Sequence, residues 1–166
     1  MQFGFRPGVS TTDAISAALN WVDACPDKYV LGIFLDISGA FDNAWWPAIL
    51  SALESRGVSS DLRRLIQDYF RDRVVFLQDG ETIVKKTLTR GCPQGSVLGP
   101  ILWNVVFDGI LAIPLPGCGT IAYADDTLLM VGGASRREIE NRAADSLARI
   151  LDWGTKNNLS FAQKSP

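Results

Sequence analysis

The stretch Thr120-Ile-Ala-Tyr-Ala-Asp-Asp-Thr-Leu-Leu-Met-Val131 sets two consecutive aspartates between two short apolar runs. Short runs of apolar and β-branched residues on either side of turn residues predict a β-hairpin. We therefore expect strands at residues 120–124 and 127–131, joined by a two-residue loop of Asp125 and Asp126. Aspartate is a favoured turn residue, so the pair alone is also compatible with a purely structural turn.

A third aspartate, Asp36, follows the nearly unbroken apolar run Tyr29–Leu35. The run is short and β-branched in part, which predicts a strand buried on both faces. Asp36 could simply end that strand as a loop residue. If both segments belong to one sheet, however, Asp36 and the Asp125–Asp126 pair form a cluster of oxygen ligands. Such a cluster suits Mg²⁺ or Mn²⁺, and two such ions about 4 Å apart are typical of phosphoryl and nucleotidyl transfer.

The composition restricts the kind of site further. The chain has 166 residues, of which 47% are hydrophobic and 20% charged, so it can form the core of one domain. Histidine is absent and the three cysteines lack metal-binding spacing, which excludes histidine-based triads and a zinc module and predicts free thiols. The net charge of -2 argues against a strongly basic nucleic-acid-binding domain.

Helical and strand-like patterns alternate along the chain without a linker or a repeat. Helical spacing of apolar residues predicts helices near residues 12–24, 46–56, 61–69, 97–113 and 135–151, with Thr12, Ser96 and Ser135 as N-terminal caps. Asp79-Gly80 predicts a second hairpin. These elements together predict an α+β fold with a small antiparallel sheet.

The chain contains no segment that predicts membrane insertion or secretion. The longest apolar stretch, Val97–Leu115, is interrupted by prolines and polar residues, which is typical of a buried helix rather than a membrane span. Residues 1–10 have no apolar core of a signal peptide.

The segment Gly91–Ser96 is a further candidate for ligand contact. Its two glycines allow the backbone to approach a ligand closely, and Pro93 stiffens the loop. Gln94 offers both a donor and an acceptor for a base or a sugar. The alternative is an ordinary helix entrance, with Ser96 as the cap and Pro100 in the first turn.

Several ordered segments resemble the motifs of reverse transcriptases. Phe34–Asp42 (FLDISGAFD) resembles motif A, Arg90–Pro100 (RGCPQGSVLGP) resembles motif B, Ala122–Asp126 (AYADD) resembles the Tyr-x-Asp-Asp box of motif C, and Trp153–Ser165 is similar to motif D. Gln2–Ala14 is similar to the segment before motif A in enzymes of non-LTR retrotransposons and group II introns. The order and separations fit over essentially the whole chain, and residues 94–104 favour a LINE-like element, with an arthropod as a candidate host.

This resemblance implies a polymerase palm, a ferredoxin- or RRM-like antiparallel sheet packed on helices, with part of the fingers. By this comparison residues 1–27 are a fingers-side segment and residues 28–166 are the palm with motifs A to D. The N-terminal fingers, the thumb and the endonuclease would lie outside these 166 residues. We accordingly expect a fragment of an RNA-directed DNA polymerase (a nucleotidyltransferase) with little activity alone.

The resemblance also implies a metal site. Asp36 and Asp125 match the two carboxylates that bridge the metal ions in the family, and the Ile37 carbonyl matches a further ligand. Asp126 follows Asp125 directly, so its side chain must point another way, and it takes a supporting role at the same site. The implied cofactors are two Mg²⁺ or Mn²⁺ ions.

The remaining roles implied by the resemblance concern the substrates. Phe41 matches the aromatic gate that leaves no room for a 2′-hydroxyl, although a core phenylalanine is an equal alternative. Gln94 and Gly95 would line the nucleotide pocket together with Ile37 and Phe41. Arg6 and Tyr123 would contact template or primer, with a lone surface arginine as the competing interpretation of Arg6. Lys164 matches the motif D lysine proposed as a general acid for pyrophosphate.

The implied partners are an RNA template, a DNA primer and deoxynucleoside triphosphates, with no membrane and an oligomeric state that the sequence leaves open. The implied location is intracellular and nuclear. Two other functions are compatible with parts of the pattern. One is the palm of an RNA-dependent RNA polymerase, a family that usually has glycine where Ala124 stands and a polar residue where Phe41 stands. The other is an inactive retroelement remnant that only binds nucleic acid or a partner.

Overall fold

A computed structural model describes residues 1–93 and 95–162 of the chain. In chain order the described elements are α1 (Thr11–Ala24), β1 (Tyr29–Leu35), α2 (Ala40–Asn43), α3 (Trp46–Ser55), α4 (Ser60–Phe70), β2 (Val74–Asp79), β3 (Thr82–Thr87), α5 (Leu98–Leu111), β4 (Cys118–Tyr123), β5 (Asp126–Gly133) and α6 (Arg136–Lys156). Both predicted hairpins and each predicted helix are present, so the α+β prediction is confirmed.

The larger sheet has three antiparallel strands in the order β1-β5-β4. The central strand β5 pairs Thr127 with Leu35 of β1 and Asp126 with Tyr123 of β4. Because this register places the end of β1 beside the start of β5, Asp36 follows β1 at the same end of the sheet as the β4–β5 turn. The topology thereby joins two segments that are about ninety residues apart in sequence.

The core lies between the sheet and helices α3, α5 and α6. Helix α5 packs against α3 and α6, and it contributes the fully buried side chains of Trp103, Phe107 and Ile110. Helix α6 packs on β5 and β1, where it buries Ile150. Most of the long apolar stretch Val97–Leu115 therefore forms a core helix, as the sequence predicted. No described helix is both long and apolar enough to cross a bilayer.

The prediction that β1 is buried on both faces is wrong. Phe34 is 84% exposed and Leu31 is 39% exposed, whereas Ile33 and Leu35 pack against the core. The physical reason is the position of β1 at the edge of an antiparallel sheet. A continuous apolar run predicts two covered faces only where helices flank both sides, as in parallel sheets.

Two of the predicted helix caps are also corrected. Ser10, not Thr12, caps α1, and it forms a reciprocal capping box with Asp13. Helix α5 begins one residue later than expected, with Val97 as its N-cap, although the Ser96 hydroxyl still accepts a hydrogen bond from the Gly99 N–H at 2.9 Å. The cap at Ser135 is confirmed, since its side chain accepts from the Glu138 N–H.

The hairpin β2–β3 forms a separate two-stranded sheet. Every residue of both strands is exposed, including Phe76 and Leu77 at 70% and 71%. Gly80 has a φ of 57° in the turn, which matches the glycine that the Asp79-Gly80 signal predicts there. The hairpin therefore projects from the core between α4 and the segment that resembles motif B.

Candidate catalytic site

The β4–β5 turn lies one residue earlier in the sequence than predicted. The turn residues are Ala124 and Asp125, and Asp126 is already the first residue of β5, paired with Tyr123. Ala124 has a φ of 59°, in the left-handed region that a non-glycine residue rarely adopts. The prediction of an Asp125–Asp126 loop is therefore wrong by one position, because the ladder extends to Asp126 and Ala124 takes the strained turn conformation instead.

Asp36 and Asp125 line one cavity of about 310 Å³. Asp36 reaches it from the end of β1 and Asp125 from the β4–β5 turn, and the segment Ile37–Asp42 and Ala162 form the rest of the wall. We refer to this space as the catalytic cavity. Two carboxylates that are about ninety residues apart in the sequence thus line one small cavity, whereas the predicted cluster also included Asp126.

Asp126 faces a different space. It lines a larger groove of about 680 Å³ together with Asp36, Tyr123 and apolar residues of α1 and β1. Asp36 is thus common to both spaces, while Asp125 and Asp126 diverge, as the sequence predicted for consecutive residues. In the described part of the chain, no group of three or more His, Cys, Asp and Glu side chains is close enough to hold a metal ion. Asp36 therefore shares one space with Asp125 and another with Asp126, and the structure does not gather all three carboxylates.

The backbone at Ile37 has the properties of a candidate ligand. Its side chain is 2% exposed and anchors in the core. The adjacent bridge to Phe161 uses the Ser38 N–H, which donates to Ser160 O, and the Asp36 carbonyl, which accepts from Ala162 N–H. These two hydrogen bonds do not use the Ile37 carbonyl. Ile37 lines the same cavity as Asp36 and Asp125, and carbonyl and carboxylate oxygens are the ligands that a hard divalent cation prefers.

Phe41 combines the two alternatives that the sequence left open for it. Its ring stacks on Trp103 at a centroid distance of 5.6 Å and contacts Phe5 edge-on at 5.7 Å. It also lines the catalytic cavity next to Asp36. The ring is therefore held rigidly by aromatic neighbours while it presents part of its surface to the cavity.

Gln2 is a site residue that the sequence did not reveal. Its Oε1 accepts from the Ala124 N–H at 3.0 Å and the Gly4 N–H at 2.7 Å, and its Nε2 donates to the Ala124 carbonyl at 2.9 Å. The Trp103 indole N–H donates to the same carbonyl at 3.3 Å. Gln2 is only 8% exposed, so these hydrogen bonds satisfy both polar groups of the strained residue beside Asp125. No local pattern signals a contact across 122 residues.

Gly4 permits this arrangement by its lack of a side chain. A Cβ at Gly4 would lie 2.1 Å from the Ala124 nitrogen, far inside any van der Waals contact. The Asn104 side chain donates to the Gly4 carbonyl at 3.0 Å and fixes the segment on α5. The N-terminal segment thus acts as a support under the β4–β5 turn.

The segment that resembles motif B is tied to the segment that resembles motif A. The Gly91 N–H donates to the Ala44 carbonyl and the Cys92 N–H donates to the Phe41 carbonyl. Gly91 has a φ of 101°, and a Cβ there would lie 3.1 Å from the Asp42 carbonyl oxygen, so glycine is required at this position. Cys92 is buried, and burial raises the pKa of its thiol to about 11, so this cysteine is a neutral core residue.

The other predicted residues lie at the rim or outside the described residues. Arg6 is exposed and donates from Nη1 to the Gln2 carbonyl at 3.3 Å. Tyr123 is 39% exposed on the wall of the larger groove. Gly95 is exposed with a φ of 77°. The predictions for Gln94 and Lys164 fall on residues outside those that the structure describes.

Comparison with known sequences identifies the relatives of the chain. Residues 1–164 match the family model described as reverse transcriptase (RNA-dependent DNA polymerase). The chain is 40% identical over 155 residues to the putative 115 kDa protein in type-1 retrotransposable element R1DM of Drosophila melanogaster. It is 36% identical over 156 residues to the retrovirus-related Pol polyprotein from type-1 retrotransposable element R1 of Bradysia coprophila. Each match covers 93% of this chain but only 15% of the relative.

A more distant relative and one solved structure agree with these matches. The RNA-directed DNA polymerase from mobile element jockey of Drosophila melanogaster is 28% identical over 167 residues, which covers 95% of this chain and 18% of that protein. The structure of apo telomerase from Candida tropicalis, truncated from the C-terminal domain, superposes with a TM-score of 0.59 at 12% identity. That match covers 95% of this chain and 36% of the telomerase chain, and it supports the predicted polymerase-palm fold.

Proposed function

This chain belongs to the reverse transcriptase family of non-LTR retrotransposons, and from that premise we propose that it is the catalytic palm of an RNA-directed DNA polymerase. The observation that carries the proposal is the pairing of Asp36 and Asp125 in the catalytic cavity, with Phe41 in the same wall. The chain spans 15% of the length of the two R1 relatives named above. The assignment of residues 1–27 to the fingers side and of residues 28–166 to the palm is part of the same proposal.

In this proposal the carboxylates of Asp36 and Asp125 and the Ile37 carbonyl hold divalent ions, with Asp126 in a supporting role from the neighbouring groove. The ions would be two Mg²⁺ or Mn²⁺. Once bound, they would supply the positive charge that lowers the pKa of a primer hydroxyl and neutralises the leaving pyrophosphate. The chain itself contributes position, because Gln2 and Trp103 hold the turn that carries Asp125.

The nucleotide is proposed to bind beside the metal-binding carboxylates. Phe41 would lie under its sugar and exclude a 2′-hydroxyl, and the aromatic contacts with Trp103 and Phe5 would keep the ring from yielding. Gln94 and Gly95 would line the same pocket, and Lys164 would deliver a proton to the pyrophosphate. The substrates are then deoxynucleoside triphosphates rather than ribonucleoside triphosphates.

The polymer substrates of the proposed reaction are an RNA template and a DNA primer. Arg6 and Tyr123, both exposed near the β4–β5 turn, are the proposed contacts for these strands. Since the relatives are proteins of retrotransposable elements, the proposed place of action is the nucleus, where a retrotransposon meets genomic DNA.

Mn²⁺ binding to the purified chain tests the metal site directly. We expect calorimetric or spectroscopic titration to detect Mn²⁺ binding that Asp36→Asn and Asp125→Asn each weaken at least tenfold. Asp79→Asn is the matched control, because it removes one carboxylate from an exposed hairpin end and keeps a residue that the turn accepts. Equal Mn²⁺ affinity in Asp125→Asn and Asp79→Asn would refute the proposed site.

A further inference from the structure

A second cavity next to the catalytic cavity is lined by cations. It encloses about 560 Å³ between the hairpin β2–β3 and the segment Gly91–Pro93. Arg73 precedes β2, Lys86 lies on β3, and Arg90 precedes Gly91, and all three line this space, which we call the basic cleft. Asp42 also lines it, so the positive charges of the cleft exceed the negative ones.

Seven arginines and lysines in the described part of the chain form ion pairs, and the cations of the basic cleft are not among them. Over residues 1–93 and 95–162, ion pairs involve Arg56, Arg63, Arg71, Arg136, Arg142, Arg149 and Lys156. In the same part of the chain, Arg73, Lys86 and Arg90 form no ion pair with an acidic side chain. Their charge is therefore available to an external anion.

Both arginines of the basic cleft are held in place, Arg73 partly through its own side chain and Arg90 through its backbone. Arg73 donates to the Tyr69 carbonyl at 3.2 Å, and its guanidinium lies 4.5 Å from the centroid of the Tyr69 ring. The Leu88 N–H donates to the Arg73 carbonyl at 2.8 Å. At the other end, Arg90 forms a bridge with Trp45, one residue before the Gly91–Ala44 hydrogen bond. The arginines thus project from anchored positions and not from a loose loop.

The basic cleft adjoins the catalytic cavity. Asp42 lines both spaces, and the Cys92 N–H, on the cleft side, donates to the carbonyl of Phe41, on the catalytic side. An anion held by the cleft would accordingly lie beside the proposed nucleotide position.

We propose that Arg73, Lys86 and Arg90 bind the phosphate backbone of a single-stranded RNA where it passes the catalytic cavity. The identity of that strand as a template rests on the proposed function. The backbone positions of Lys86 and Arg90, four residues apart, can be separated by up to about 13 Å at 3.3 Å per residue. Cations distributed over a span of this size can contact more than one phosphate of the same strand.

Salt-dependent RNA binding to the 166-residue chain tests the inference. A fluorescently labelled, unstructured RNA oligonucleotide is titrated by anisotropy over a range of salt concentrations, with EDTA present so that the metal site plays no part. Each phosphate contact to a single strand adds about 0.7 to the slope of log affinity against log salt concentration. We expect Arg73→Gln/Lys86→Gln/Arg90→Gln to lower the magnitude of that slope by about 2 and to reduce low-salt affinity at least tenfold.

The matched control removes three positive charges elsewhere. Lys28, Arg64 and Arg137 also have no ion pair within the described ranges, so Lys28→Gln/Arg64→Gln/Arg137→Gln has the same net charge as the cleft variant. We expect this control to keep most of the wild-type slope. Because Arg73 also contacts Tyr69, the double variant Lys86→Gln/Arg90→Gln provides a test that leaves that contact intact, and it should lower the slope by about 1.4.

Equal RNA binding by the cleft variants and the control, or no binding by the wild-type chain at low salt, would overturn the inference. A parallel titration with labelled dATP distinguishes binding of an RNA backbone from binding of a nucleoside triphosphate. Loss of dATP binding with unchanged RNA binding would make the cleft a triphosphate site and overturn the assignment to RNA. The RNA and dATP titrations contain no divalent metal. A negative result in them would therefore refute the basic cleft without bearing on the proposed Mn²⁺ site at Asp36 and Asp125.

Discussion

The position of Asp125 depends on two residues at the other end of the chain. Gln2 satisfies the backbone polar groups of Ala124, and Gly4 leaves the space in which the turn lies. A buried N–H or carbonyl without a partner costs about 1–3 kcal/mol, so the strained turn is maintained by contacts that the hairpin itself does not contain. The position of Asp125 is therefore a property of the folded domain and not of the Tyr-x-Asp-Asp segment alone.

Gly4→Ala should disturb this support. The new Cβ would lie 2.1 Å from the Ala124 nitrogen, so the backbone must shift, and overpacking of this kind costs about 1–3 kcal/mol. We expect a lower midpoint of thermal unfolding and weaker Mn²⁺ binding. Gly32→Ala in β1 is the control, because its Cβ meets only a Leu128 methyl carbon at 3.5 Å. Wild-type unfolding and Mn²⁺ affinity in Gly4→Ala would contradict the support role.

At the level of elements, the first turn of α1 distinguishes the structure from the sequence prediction. The Ser10 side chain accepts from the Asp13 N–H, while both the hydroxyl and the N–H of Ser10 donate to the Asp13 carboxylate. Ser10→Ala should therefore destabilise the protein by about 1 kcal/mol, whereas Thr12→Ala should have little effect. Thermal unfolding of the two variants at neutral pH checks the assignment, and equal effects would contradict it.

The same capping box makes a pH-dependent contribution. Hydrogen bonds from the Ser10 side chain and then its backbone lower the pKa of Asp13 below the ordinary carboxyl value. A lowered folded-state pKa means that the contribution is present above the ordinary carboxyl pKa and is lost as the pH falls through the folded value. The difference in unfolding midpoint between wild type and Ser10→Ala should accordingly shrink as the pH is lowered from 7 towards 3.

The helices and hairpins with a local signal were predictable from the sequence, although the caps at Thr12 and Ser96 were misplaced, and features set by tertiary contact were not predictable. The hairpin at Asp79-Gly80 and the cap at Ser135 depend on neighbouring residues, and both are confirmed. The open face of β1 depends on which helices cover the sheet, so its apolar sequence was misleading. The meeting of Asp36 with Asp125 needs the β1–β5 register, which the sequence suggests only through the family resemblance. The Gln2 contact has no local signal at all.

At the scale of the whole molecule, α1, β1 and β2 are among the elements that expose large apolar side chains. Phe34 on β1, Ile15 and Leu19 on α1, and Phe76 on β2 are each at least 60% exposed. The residues of α1 and β1 form walls of the groove that Asp126 also lines. Contiguous apolar surface of this kind is typical of an interaction face. The catalytic cavity thus lies beside a surface that has the character of an interface.

The net charge leads to the last prediction, which concerns polymerase activity. Primer–template affinity comes largely from phosphate contacts, and it falls steeply with salt because each contact releases counterions. Sixteen lysines and arginines are offset by eighteen acidic residues, and several of the basic ones are already in ion pairs. The 166-residue chain should therefore hold a primer–template duplex weakly at physiological salt. A loosely held substrate also reacts more slowly, since a misplacement of about 1 Å can lower the reaction rate by a factor of about 10².

Primer extension on an RNA template with Mg²⁺ checks this expectation at low and at physiological salt. We expect little extension by the isolated chain at about 0.15 M salt and more at low salt, with Asp125→Asn inactive in both conditions. The Asp125→Asn control separates activity of this chain from that of a contaminating polymerase. Robust multi-nucleotide extension at physiological salt, abolished by Asp125→Asn, would show that the chain binds its substrates well despite its negative net charge. The affinity would then have to come from a local concentration of cations such as the basic cleft, because the overall charge repels a polyanion.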